Sequence, residues 1–80
     1  MPKIKVLSGQ DVIKIIKLFG FSIHTQKGSH IRLRKNLYEK EQNVTVPNHK
    51  ELGSGTLKSI YGQLTKYIPE DELREHFYTK

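Results

Sequence analysis

His30 follows Lys27, Gly28 and Ser29 directly, and Arg32 and Arg34 come two and four residues after it. An imidazole can take or give a proton near neutral pH, and cations beside it can hold a phosphate within its reach. That is the equipment for cleaving RNA without a metal. A base removes the 2′-hydroxyl proton, the oxygen attacks the adjacent phosphorus, and cationic groups stabilise the charge that develops on the phosphoryl oxygens. The bland reading stands beside it: an exposed histidine next to a turn need do no chemistry, and strand lysines and arginines are ordinarily solvated.

The other candidates carry less. His24 could assist His30 across a hairpin, His49 lies in a Pro-Asn-His loop, and His76 falls on a helix; each reads more simply as structural or solvated. A zinc site lacks cysteine and local ligand spacing, and the eight acids are too scattered for a two-metal carboxylate cluster. Gly53-Ser54-Gly55-Thr56 before a helix could offer backbone donors to a phosphate, but it has neither the spacing nor the Gly-Lys ending of a P-loop. Lys27, Lys50 and Lys58 could meet a phosphate backbone. Tyr38 and Tyr61 could stack on a base, with Tyr61 on an apolar stripe that points to the core.

These residues need a scaffold, and the hydrophobic periods supply one. Ser8 and Asp11 resemble a capping box, with Leu7 and Val12 placed as a hydrophobic staple across it. Val12, Ile15, Ile16 and Phe19 then recur at helical spacing, predicting a first helix over residues 9–19 that Gly20 ends. The period changes to two at Phe21 and Ile23 and again at Ile31 and Leu33, which predicts an antiparallel hairpin. Pairing Phe21 with Leu33 and Ile23 with Ile31 leaves Gln26, Lys27 and Gly28 as the loop and sets His24 opposite His30; a loop over residues 27–29 also preserves the faces and sets Gln26 there instead. Residues 36–43 read as a polar, irregular connection whose Leu37 and Tyr38 reach toward the core, and residues 44–46 as a short third strand stopped by Pro47. Leu57, Ile60, Tyr61, Leu64 and Ile68 mark a second helix. Pro69 stops it and opens an acidic terminal helix with a thin apolar side at Leu73 and Phe77.

The expected fold is therefore α+β, helix, three antiparallel strands, helix, with a short C-terminal helix added. Eighty residues without cysteine allow one modest core, so residues 1–80 are expected to form a single domain, its core over residues 8–68 and an acidic helix over 69–80. The net charge of +6 calls for a polyanionic partner: nucleic acid, an acidic protein or an anionic membrane. Residues 1–68 carry twelve basic and four acidic groups, net +8, and residues 69–80 two and four, net −2. The basic potential thus belongs to the main domain. No apolar run approaches the ~20 residues of a membrane helix, and residues 1–7 lack the apolar stretch of a signal peptide, so a cytosolic protein is expected.

Taken in order, Gly20-Phe21, Gln26-Lys27-Gly28-Ser29-His30, Val44-Thr45-Val46-Pro47-Asn48-His49 and Gly55-Thr56-Leu57-Lys58-Ser59-Ile60 resemble the HicA family of mRNA-interferase toxins over about residues 8–68. The resemblance implies a fold like the double-stranded RNA-binding domain, with both helices on one face of a three-stranded antiparallel sheet. It implies a bacterial or archaeal toxin that cleaves mRNA and is neutralised by a HicB-type antitoxin; from the residues themselves no cofactor or metal is expected. By position the family's catalytic histidine falls on His30, with Gly28 and Ser29 shaping the turn. Members often carry arginine where this chain has Thr25, which puts one substrate contact in doubt.

Two functions from different classes follow. One is a metal-independent endoribonuclease with His30 as acid or base and Lys27, Arg32 and Arg34 on phosphates. The other is a non-catalytic RNA-binding module on which His30 is incidental. A protein-interaction domain is third. All RNA binding here would be salt-sensitive, and only the first reading expects scission that His30→Ala abolishes.

Overall fold

A computed structural model describes residues 2–79. Helix α1 (Gly9–Leu18) is followed by three strands, β1 (Ser22–Lys27), β2 (His30–Leu37) and β3 (Lys40–Pro47), then α2 (Ser54–Leu64) and α3 (Glu70–Phe77). The sheet is antiparallel in the order β1-β2-β3. This is the α+β arrangement that the periods predict.

The capping box at α1 is complete. The Asp11 N–H donates to Ser8 Oγ at 3.0 Å, and the Ser8 N–H donates to Asp11 Oδ2 at 2.9 Å. Behind this cap Val12, Ile13, Ile15 and Ile16 are buried, while Lys14 and Lys17 stay exposed. At the far end Lys35 reaches from the sheet and donates to the Phe19 carbonyl at 2.9 Å, a cation where the helix dipole favours one.

Both α1 and α2 lie over β3, and the core joins Ile31, Leu33, Val44 and Val46 to their apolar stripes. The opposite face of the sheet has no helix against it. Strand β1 receives little cover on either side, and all of its residues are exposed.

The hairpins differ from the expected ones in three respects. Residues 36–43 are regular: β2 and β3 run past the core as a long ladder to a two-residue turn, Tyr38-Glu39. Their polarity reflects exposure on both faces and not irregular backbone; Leu37 and Tyr38 are exposed rather than drawn to the core. The β1–β2 loop is also two residues, Gly28-Ser29, with Gly28 at φ +60° where a primed hairpin turn demands a left-handed first residue. That shorter loop sets Lys27, not His24, opposite His30. A bulge between Ile23 and Thr25 restores the expected faces but not the expected partners: Ile23 lies opposite Leu33 and not Ile31. Ile23 is still 47% exposed because no helix reaches the edge strand, whereas Phe21, just before it, is buried beside Tyr67.

The acidic helix α3 belongs to the core. Leu73 and Phe77 are fully buried, and the Tyr61 ring packs edge-on against Phe77 and Tyr78 at 5.4 and 5.3 Å. The Tyr61 hydroxyl donates to Glu70 Oε2 at 3.0 Å. Burial first, and then that carboxylate, push the phenol up to about 12. The chain's beginning closes over this helix: the Lys5 N–H donates to the Phe77 carbonyl at 2.8 Å and the Thr79 N–H to the Lys3 carbonyl at 2.7 Å, around an antiparallel bridge between Ile4 and Tyr78.

Candidate nucleic-acid interface

On the uncovered face of the sheet the register builds three rungs. His30 stands between Lys27 on β1 and Pro47 on β3. Arg32 stands between Thr25 and Thr45, and Arg34 between Ser22 and Asn43. Directly opposed residues in an antiparallel pair lie about 4.5–5.5 Å apart at Cα, and successive rungs about 7 Å apart along the strand. Lys27, His30 and Arg32 are all exposed. Apart from the imidazole and Pro47, these rungs carry cations and hydroxyl or amide hydrogen-bonders, and none of their residues is a carboxylate. A phosphodiester laid along β2 would meet an imidazole flanked by a primary ammonium and a guanidinium.

Arg34 is held differently. Its Nε donates to Asn43 Oδ1 at 3.2 Å, and its Nη1 lies 3.4 Å from Glu41 Oε2. The guanidinium is thereby fixed across the β2–β3 ladder and its charge partly answered, so the two free cations nearest His30 are Lys27 and Arg32.

The turn before His30 is anchored from outside the sheet. The Asn48 N–H donates to the Ser29 carbonyl at 2.6 Å. Asn48 is held in turn by α1, because Gln10 Nε2 donates to its Oδ1 at 2.8 Å and the Gly9 N–H donates to the His49 carbonyl at 2.8 Å. Helix and loop approach so closely that a Cβ on Gly9 would run into the Pro47 carbonyl oxygen. The sequence reading missed this support. Its signal was a glycine at the first position of a helix already capped by Ser8, where nothing but a close approach calls for one.

Three other sequence candidates fall outside the rungs. His24 sits at the bulge, the extra residue of β1 with no partner on β2. His49 is exposed, with its backbone bonded to α1 as the structural reading of that loop expects. His76 is half-buried, packed edge-on against Phe19 at 5.6 Å. Glycine 53 caps α2 without a side-chain hydrogen bond, and no acidic residue occupies the first turn. Among the described residues no three His, Asp or Glu side chains gather as a set able to hold a metal ion, and no helix is long and apolar enough to cross a membrane.

Comparison with known proteins returns no match among curated proteins and none among solved structures. A family model described as "HicA toxin of bacterial toxin-antitoxin" matches residues 9–65 of the 80. That span runs from the first residue of α1 to the end of α2 and contains all three rungs and the loop that anchors them. With more than two thirds of it matched, the chain belongs to the HicA family, the toxins of bacterial toxin-antitoxin pairs.

Proposed function

We propose that this toxin is a metal-independent endoribonuclease acting on mRNA, with His30 as its catalytic acid–base group and a HicB-type antitoxin as its inhibitor. The observation that carries the reading is the register at the open end of the sheet: Lys27 directly across from His30, and Arg32 next along the same exposed face.

In this reading the neutral imidazole takes the 2′-hydroxyl proton as that oxygen attacks the adjacent phosphorus. The bond to the 5′-oxygen breaks, and the departing oxygen takes a proton, leaving a 2′,3′-cyclic phosphate and a 5′-hydroxyl. Negative charge growing on the non-bridging oxygens falls between Lys27 and Arg32. Gly28 supplies the left-handed residue that lets the turn be two residues long, and Ser29 supplies the carbonyl by which Asn48 holds the turn. Arg34, fixed by Glu41 and Asn43, binds a phosphate further along the strand. An antitoxin that laid acidic groups over these rungs would block all of this at once.

The test is incubation of wild-type and His30→Ala protein with a long single-stranded RNA in EDTA, reading fragments and their ends. Cleavage by wild type alone, leaving cyclic or 3′ phosphates, is expected. Binding by both without cleavage by either would replace the nuclease with an RNA-binding module of the same fold.

A further inference from the structure

The sheet contains two hairpin turns of the same length, and they meet the same backbone demand with different residues. At Gly28-Ser29 the left-handed position is glycine, φ +60°; at Tyr38-Glu39 it is tyrosine, φ +46°. A bulky residue in that region is uncommon, because Cβ crowds the backbone where glycine or asparagine fits more easily. The ring itself is not packed: Tyr38 is 108% exposed, the most exposed of the large hydrophobic side chains among the described residues, and Leu37 beside it is also exposed. A bulky ring at a turn position that glycine or asparagine fills more easily, and with no contact to the rest of the fold, points to a contact outside it.

The position of the turn indicates the contact. Along β2 the open face runs His30, Arg32, Arg34, Asn36, and the strand then ends in Tyr38. The track is polar throughout and cationic over its first three rungs, with Glu41 opposite Asn36 on the fourth, where it answers part of the Arg34 charge. A groove of cations ending in an aromatic platform is how proteins hold single-stranded nucleic acid, the cations following phosphates and the ring taking a base face. Eight residues of strand span about 26 Å, a length in keeping with the roughly 4–16 nucleotides that one small single-strand-binding fold covers.

We propose that Tyr38 is a base-stacking subsite for the RNA, at the far end of the β2 track from His30, and that it fixes how the strand lies when His30 meets the phosphate. The inference rests on the nuclease reading above and extends it to the nucleotides bound outside the scissile bond. Because stacking reads the face of a base and not its edge, the subsite accepts any base and sets register and affinity more than sequence.

The test measures Kd for uncut RNA on the His30→Ala background, using oligonucleotides of about twelve and about three residues, the first able to span the track and the second not. Tyr38→Ala and Tyr38→Asn should each weaken the longer RNA by about 5- to 100-fold, while Tyr38→Phe keeps it within about twofold. Binding of the shorter RNA should not change. Asparagine suits the left-handed backbone, so its agreement with alanine assigns the loss to the ring rather than to a damaged turn. An unchanged Kd for the longer RNA in the alanine and asparagine variants would overturn the subsite and leave the ring to a protein partner. No measurable RNA binding at any length, with or without Tyr38, would overturn the nuclease reading itself.

Discussion

Strand β2 carries two surfaces one residue apart. Ile31 and Leu33 point under the helices and are buried to 3% and 0% exposure, while His30 and Arg32 point to the open side and are exposed. The same backbone hydrogen bonds hold both sets. Side chains on the covered face hold the fold together, and side chains on the open face can change with little consequence for it. Of the cations there, Arg34 is tied into the ladder by Glu41 and Asn43, and Lys27 and Arg32 are the ones that the proposed function assigns to a partner.

The sharpest way to break this comparison is to truncate neighbours. On the nuclease reading, His30→Ala should lower the cleavage rate by about 10²- to 10⁴-fold, the usual worth of a positioned acid–base group, and shift the unfolding midpoint hardly at all. Leu33→Ala, three residues along and on the other face, should destabilise the fold by about 2–5 kcal/mol. The fraction still folded should bind RNA as wild type does. Urea unfolding and cleavage assays on the two proteins check both at once. Equal losses of stability would mean that the open face is part of the structural core after all.

Arg32→Ala is expected to act more gently and in a recognisable way. Removing one phosphate contact should reduce the slope of log K against log salt by about 0.7 for a single strand, weakening binding about evenly across RNA sequences. Arg34→Ala should change that slope less, because Glu41 already answers part of its charge, and should loosen the outer ladder instead. If the two variants gave the same slope, Arg34 would be as free as Arg32.

The first helix was legible because its signals are local and redundant, whereas α2, expected to run to Pro69, ends at Leu64 and reaches the buried Ile68 through a turn. Ser8 and Asp11 announce a cap, Val12 to Phe19 repeat at 3.6 residues, and nothing in the tertiary structure contradicts them. Which residues face the open side was legible too, since alternation along β2 needs no knowledge of its partner. The partner across from His30 was not. Two placements of a three-residue loop satisfy the apolar pattern and set His24 or Gln26 opposite His30; the two-residue loop that sets Lys27 there keeps the faces only through a bulge at His24, which no alternation announces. The outer hairpin was hidden for another reason. Strands exposed on both faces have no apolar alternation to read, and residues 36–43 look like loop in sequence while pairing as regular strand. The terminal helix was under-read because two apolar residues, Leu73 and Phe77, give a thin stripe; their full burial depends on Tyr61 and on the return of residues 3–5, contacts far away in sequence.

The smallest expected effect lies on the supporting side of the comparison, at the cap that begins α1. The Ser8 backbone N–H, with the Ser8 hydroxyl beside it, holds the Asp11 carboxyl below its ordinary value of 3.8, and Lys14 adds to this. A carboxyl whose folded value is depressed binds its proton more weakly in the folded state than in the unfolded one. Its contribution to stability is therefore complete above the ordinary carboxylate range and is lost as pH falls below 3.8 through the folded value. Asp11→Ala should lower the melting temperature slightly at pH 6, and the gap from wild type should close as the pH is lowered through that window. The group is fully exposed, so solvent screening keeps the gap small. Because α1 presents Gly9 and Gln10 to the loop that holds Ser29, cleavage should fall together with the melting temperature only if that loop loosens with the cap. A gap in melting temperature that stayed constant down to the lowest pH would mean that the carboxyl supports the helix by shape alone and not by its charge.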